Sequence, residues 1–193
     1  WVDRPELEQV LLQPQIEVAL AELNKDLSWK TRLFQLLSQL PVEYNIKPRI
    51  KPWATWGLVF VNVVIFLSYF VGPFDVEAVL ADFAATPTDI RAGREWWTLL
   101  TSTFLHGGWL HLIANMYLLY IIGDNLEDVL GPVRFLVLYL FCGLVASLVS
   151  LAAWSDSDIP GLGASGAVAG LFGMYLAWFR NASLTFMFFV YQK

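Results

Sequence analysis

Long apolar runs, separated by short polar segments, predict a chain that crosses a membrane several times. The runs extend from about residue 53 to 72, 109 to 123, 132 to 154 and 165 to 179, and another begins at Leu184. A bilayer core about 30 Å thick takes about 20 apolar residues of helix. The pattern therefore predicts an all-α, polytopic membrane helical bundle with about four and a half spans in this sequence.

The first fifty residues follow a different pattern. Ile16, Ala19, Leu20 and Leu23 recur at helical spacing, and residues 29–40 repeat such an apolar stripe. Two amphipathic helices of this kind predict a small cytoplasmic or interfacial region over residues 1–50, followed by a membrane domain over residues 53–193. The sequence opens on a tryptophan and stops inside its last apolar run, so we expect segments to be missing at both ends.

Composition agrees with the apolar runs. Of 193 residues, 57% are hydrophobic and 15% are charged, and the mean hydropathy is +0.55. The net charge of −5 arises mostly in the flanking regions and does not indicate a nucleic-acid partner. The single cysteine, Cys142, lies within an apolar run, so no disulfide can form within this sequence.

Basic residues predict the orientation in the membrane. One side carries Lys47, Arg49, Lys51, Arg134 and Arg180, and the other carries Arg91 and Arg94. Because cytoplasmic loops are enriched in Lys and Arg, we expect a cytoplasmic N-terminus in a bacterial inner membrane. His106, His111 and Ser165 then share the outer, periplasmic or extracellular, side.

A glycine-rich stretch at residues 161–173 holds the first candidate for chemistry. Ser165 is flanked by Gly163 and Gly166 and lies where a loop becomes an apolar helix. The first turn of a helix has unpaired N–H groups and the positive end of the helix dipole, so negative charge on an oxygen is stabilised there. The alternative is a helix-packing motif of small residues with an incidental serine.

A second polar group opens the second predicted span. His111 and Asn115 are four residues apart, so they lie on one face of a helix. Polar side chains within a membrane helix indicate a functional site, although Asn115 alone could serve helix–helix hydrogen bonding. Two histidines without a nearby cysteine, and with the carboxylates at the far end of the span, do not predict a metal site.

Together the two stretches predict acyl-transfer chemistry. Ser165 is a candidate nucleophile, and His111, Asn115 and the backbone N–H groups of Ala164 and Ser165 can donate hydrogen bonds to an oxyanion. A serine hydroxyl also needs a general base. His106 and His111 are the only histidines in the sequence.

These motifs resemble the rhomboid family of intramembrane serine proteases over roughly residues 53–193. The matching segments are Glu95-Trp-Trp-Thr-Leu-Leu-Thr, His106-xxxx-His111-xxx-Asn115, Gly123-Asp-Asn-Leu-Glu127-Asp-Val-Leu-Gly131 and Gly163-Ala-Ser165-Gly-Ala. The resemblance implies a six-helix core in which Ser165 attacks a peptide bond at a water-filled cavity open to the outer side. It also implies a Ser–His dyad whose histidine belongs to the sixth helix, which this sequence does not reach.

The resemblance implies roles for individual residues as well. His111 and Asn115 match oxyanion-hole side chains, and His106 matches a structural histidine at a loop–helix junction. Trp97 matches the tryptophan of a Trp-Arg pair, although Thr98 stands where the arginine would be. Glu127 matches a hydrogen-bond anchor at the cytoplasmic end of the second span.

Two further glycines, Gly166 and Gly170, match a face on which the fourth and sixth helices pack tightly. The implied function is cleavage of single-span membrane proteins near the outer face of the bilayer, with no metal or organic cofactor. The alternative is an inactive rhomboid-like adaptor that binds membrane helices. A channel or carrier is disfavoured because no run of intramembrane charges lines a path. The sequence does not indicate the identity of the substrates or the oligomeric state.

Overall fold

The computed structural model describes residues 49–179 and two short strands, β1 (Val42–Tyr44) and β2 (Ser183–Thr185). The strands pair antiparallel, with Glu43 opposite Leu184, and belong to a different compact unit from residues 49–179. The predicted amphipathic helices of residues 1–50 lie outside the described residues. Of the span predicted from Leu184, the first two residues are extended and the others also lie outside.

Residues 49–179 form a bundle of α-helices, which confirms the predicted all-α membrane fold. The helices are α1 (Trp53–Phe70), α2 (Val76–Phe83), α3 (Pro87–Arg91), α4 (Thr98–Thr101), α5 (Trp109–Leu130), α6 (Pro132–Ala153) and α7 (Ser165–Trp178). A 3₁₀ turn, Ser102–Phe104, follows α4.

Helices α1 and α6 are each long and apolar enough to cross a bilayer. The segment Thr98–Phe104 and α5 together form a third candidate span, bent by 92° between them. Helix α7 is apolar but has only 14 residues. The outward surface of α6 exposes valine and phenylalanine side chains, as a lipid-facing helix does.

The apolar run of the second predicted span fades by Gly123, but the helix α5 itself continues to Leu130. Its last turns contain Glu127, which is 1% exposed. Both carboxylate oxygens of Glu127 accept hydrogen bonds from the start of α1: Ala54 N–H at 2.9 Å, Thr55 N–H at 2.8 Å and Thr55 Oγ1 at 2.8 Å. With three donors this carboxylate is satisfied without water. Its charge therefore does not prevent the last turns of α5 from packing inside the bundle.

The neighbouring Asp128 holds the chain just before α1. Its Oδ1 accepts hydrogen bonds from the backbone N–H groups of Arg49, at 2.9 Å, and Ile50, at 3.0 Å. Glu127 and Asp128 therefore join the end of α5 to the start of α1, as the hydrogen-bond anchor implied for Glu127 would require.

Small residues bring α7 close to α6. A Cβ on Gly170 would lie 2.6 Å from Cys142 Sγ, and one on Gly166 would overlap the Ala146 methyl group. Among the described residues, the helix facing these two glycines is thus α6, the third apolar run, and the packing against a sixth helix that the resemblance implies stays a prediction. The two helices run antiparallel, because Gly166 meets the later of the two α6 residues.

Candidate active site

A left-handed glycine leads into α7. Gly163 has φ +121°, and its N–H donates to Ser102 O at 2.8 Å. Ala164 is fully buried at the N-cap, and Ser165, the first residue of the helix, is exposed. The first hydrogen bond of α7 joins Val168 N–H to Ala164 O at 2.9 Å. The N–H groups of the first turn therefore have no acceptor within the helix and are free to bind a negatively charged oxygen.

Ser165 lies well below the nearby end of α6. Gly166 packs against Ala146, and α6 continues to Ala153. These further turns of α6 extend about 10 Å beyond the start of α7 at the helical rise of 1.5 Å per residue. The start of α7 is therefore about two turns of α6 away from the end of that helix, and Ser165 itself is exposed.

The imidazole of His111 packs against Gly163 on the same side as the serine hydroxyl. A Cβ built on Gly163 would lie 2.5 Å from His111 Cε1, 2.7 Å from His111 Nε2 and 3.6 Å from Ser165 Oγ. Both side chains thus lie within 4 Å of one point. The structure brings His111 and Ser165 together across a glycine that has no room for a side chain.

Asn115 lies one turn further along α5 and is 5% exposed. Its Nδ2 donates to His111 O, one turn back in the same helix, at 2.8 Å. This bond uses one amide hydrogen and holds the carboxamide against the helix. Among the described residues the second amide hydrogen has no acceptor.

His106 lies at the bend between the 3₁₀ turn and α5, and it is 1% exposed. The hydroxyl of Tyr69 donates to His106 O and accepts from His106 N–H, each at 2.7 Å. The ring of His106 meets the ring of His111 edge-on, with 5.2 Å between centroids. His106 is therefore next to the candidate oxyanion histidine.

A cavity of about 250 Å³ adjoins Ser165 on the side away from α5. Its walls come from α6, the 3₁₀ turn, the segment leading into α7 with the first turn of that helix, and the loop between α1 and α4, residues 71–97, here called the first loop. Neither His111 nor Asn115 lines it. The lining includes hydroxyl groups that the sequence analysis did not single out, on Ser102, Thr103, Ser147 and Ser150. The i, i+3 spacing of Ser147 and Ser150 in an otherwise apolar run is a signal that could have found two of them.

The first loop forms one wall of this cavity. Ala85 and Gly161 exchange backbone hydrogen bonds of 2.9 and 2.8 Å. Thr88 Oγ1 donates to Asp158 at 2.7 Å, and the Arg91 guanidinium pairs with Asp156. The loop before α7 is thus joined at three points to the loop that contains α3.

Trp97 supports the first loop from its other side. Its indole N–H donates to Asp82 O, at the end of α2, at 3.0 Å. The next residue, Thr98, is fully buried and donates to Glu95 O at 2.7 Å. The contact that Trp97 makes here therefore needs no arginine beside it.

Comparison with known proteins identifies the family. Residues 93–192 match the family model described as Rhomboid domain. The chain is 34% identical over 128 residues to Rhomboid protease GluP of Bacillus subtilis, which covers 65% of this chain and 24% of that protein. It is 40% identical over 130 residues to Rhomboid-like protein 11, chloroplastic, of Arabidopsis thaliana, covering 67% and 44%. It is 30% identical over 133 residues to Rhomboid protease AarA of Providencia stuartii, covering 61% and 47%.

The chain spans less than half the length of these relatives. The matched family model nevertheless covers more than half of the chain and includes His106, His111, Asn115 and Ser165. With its apolar spans and this match, the protein is an integral membrane protein that belongs to the rhomboid family.

Proposed function

We propose that this protein is an intramembrane serine protease in which Ser165 attacks a peptide bond of a membrane-spanning substrate. The observation that carries the proposal is the position of Ser165 at the start of α7, with the His111 imidazole on the same side of Gly163. A hydroxyl oxygen there is close to the unpaired N–H groups of the first turn of α7 and to the His111 imidazole. Relatives named as proteases agree with this chemistry.

The reaction follows from the groups around Ser165. Its Oγ forms a bond to the substrate carbonyl carbon, and its proton passes to a general base, which the family resemblance assigns to a dyad histidine on a later helix. The carbonyl oxygen becomes an oxyanion that accepts hydrogen bonds from the N–H groups of Ala164 and Ser165, from His111 and from Asn115. The carbon–nitrogen bond then breaks, the amine leaves with the proton, and water hydrolyses the acyl-enzyme.

Two features support a substrate that is itself a membrane span. Helix α6 extends about 10 Å beyond the start of α7, from the helical rise, so the reacting oxygen lies within the length of an apolar helix. A helical substrate must unwind before its carbonyl is free to react, since helical carbonyls are already hydrogen-bonded. The cavity beside Ser165, with its hydroxyl groups, offers a polar environment for the unwound residues or for the hydrolytic water.

The orientation is part of the proposal. The distribution of basic residues supports a cytoplasmic N-terminus, so the end of the bundle that holds Ser165 faces the outer side, in a bacterial inner membrane. Single-span proteins with their cleavage site near that face are the proposed substrates. The site uses protein groups only, without a metal or an organic cofactor.

The test is cleavage of a single-span reporter by the full-length protein in liposomes, together with labelling by a fluorophosphonate probe. Ser165→Ala should abolish both, and His111→Ala should slow cleavage by roughly 100-fold, as loss of one oxyanion donor does. Ser68→Ala is the matched control, because Ser68 Oγ bonds only Ile65 O in its own helix. Unchanged cleavage by Ser165→Ala would refute the proposal. Binding of the span without products in the wild type would instead indicate an adaptor.

A further inference from the structure

The imidazole of His106 is not needed to hold its own backbone. Tyr69 Oη makes 2.7 Å hydrogen bonds with both the N–H and the carbonyl of His106, and Tyr69 is 3% exposed. Tyr69 is in turn packed edge-on against Phe66, which is fully buried. A side-chain change at residue 106 therefore leaves the anchors of the bend in place.

The ring of His106 is buried without a well-formed hydrogen bond. Neither ring nitrogen has a partner of good hydrogen-bond geometry within the part of the chain that the structure describes, although the Phe104 carbonyl lies near the ring. Its ring contact is the edge-on one with His111, at 5.2 Å between centroids and 66° between planes. Burying an imidazole without a well-formed hydrogen bond costs more free energy than burying an apolar ring of similar shape. We therefore look to the contact with His111 for the role of this ring.

The His111 ring also packs against the backbone of Gly163. Its Cε1 and Nε2 lie 2.5 and 2.7 Å from where a Cβ of Gly163 would be. No hydrogen bond holds the His111 ring among residues 49–179. The direction of this ring is thus set by packing, and its contacts include the His106 ring and the backbone of Gly163.

We propose that His106 is a positioning residue, whose ring holds the His111 imidazole against Gly163 so that Nε2 faces the oxyanion formed at Ser165. The proposal rests on the protease function proposed above. His106 does not touch the substrate and acts only through His111. Two adjacent rings in van der Waals contact provide a rigid support that no hydrogen bond to His111 supplies here.

The kinetic test uses the full-length protein and its reporter. His106→Ala removes the supporting ring, and a small displacement of a reacting group costs on the order of 10- to 100-fold in rate. The loss should appear in kcat, with KM unchanged, because an oxyanion donor acts in the transition state. His106→Phe keeps an edge-on ring without nitrogens and should recover most of the loss. A loss in KM alone, or no recovery with phenylalanine, would overturn the proposal.

A double-mutant cycle separates positioning from general damage. In a His111→Ala background, His106→Ala should cause no further loss, since the residue it positions is gone. A second loss of the same factor would show that His106 acts by another route. Tyr69→Phe is the structural comparison, and it should lower the melting temperature in both backgrounds.

A spectroscopic arm tests positioning without relying on activity. The Hε1 resonance of His111 should shift in His106→Ala and return towards its wild-type position in His106→Phe, because the neighbouring ring current is lost and then replaced. An unchanged resonance in His106→Ala would overturn the positioning role. Failure of the wild type to cleave or to react with the fluorophosphonate would overturn the protease proposal instead.

Discussion

Glu127→Ala is expected to destabilise the bundle by about 3–5 kcal/mol. The buried carboxylate accepts hydrogen bonds from Ala54 N–H, Thr55 N–H and Thr55 Oγ1 at the start of α1. This helix has no cap of its own, because its N-cap residue, Pro52, makes no side-chain hydrogen bond. Each donor left unpaired costs about 1–3 kcal/mol, and relaxation of the helix start keeps the total in the lower part of that sum.

Thermal unfolding of the full-length protein in detergent measures this effect. In a domain of this size each kcal/mol shifts the melting temperature by about 2–4 °C, so Glu127→Ala should melt roughly 6–20 °C below the wild type. Glu127→Gln keeps a carbonyl acceptor but faces N–H groups with its own amide hydrogens, so its melting temperature should fall between the two.

The matched control is Asp128→Ala. Asp128, whose side chain is 15% exposed, accepts two backbone hydrogen bonds from Arg49 and Ile50, and both of these residues are exposed to solvent. Water can replace the lost carboxylate at these N–H groups, so the control should lose less stability than Glu127→Ala and melt closer to the wild type. Equal melting temperatures for Glu127→Ala and Asp128→Ala would refute the reasoning that burial makes the first carboxylate the anchor.

Other substitutions test the site and the helix packing. Gly163→Ala should lose fluorophosphonate labelling, since a methyl group there overlaps an imidazole at 2.5 Å and the φ of +121° costs about 1–3 kcal/mol for a residue with a side chain; wild-type labelling would contradict the geometry. Gly170→Ala should lower the free energy of unfolding by about 1–3 kcal/mol through overpacking against α6. Gly173→Ala should be neutral or stabilising, because a Cβ there has nothing within 4 Å, and equal unfolding midpoints for the two variants would contradict the assigned interface. Removal of the exposed Arg91–Asp156 pair by Arg91→Ala should change stability by less than about 1 kcal/mol, and a larger shift of the unfolding midpoint would show that the loop contact matters more than its exposure suggests.

Much of the bundle follows from local patterns. The predicted starts at Trp53, Pro132 and Ser165 coincide with the starts of α1, α6 and α7. Helix α1 follows Pro52, α6 begins with Pro132, and Ser165 follows a glycine-rich turn, so adjacent residues mark each boundary. The i, i+4 pair of His111 and Asn115 was likewise readable from spacing, since both lie on one helix.

The end of α5 was not readable in this way. Local charge predicts that a span ends before Asp124, Glu127 and Asp128, but the helix continues through all three. The hydrogen-bond donors that make this possible belong to residues 49–55, more than seventy positions earlier. No window of sequence around residue 127 contains them.

The sequence by itself determined which segments of residues 49–179 form apolar helices, because a bilayer requires every crossing segment to satisfy its backbone within one helix and to present apolar side chains. Tertiary structure alone decided that α7 packs its glycines against α6, that His111 reaches Gly163 beside Ser165, and that a cavity opens beside the serine. Those features depend on contacts between residues about twenty to fifty positions apart. Their geometry exists only once the helices have packed, because packing sets which small residues face each other and how closely two backbones approach.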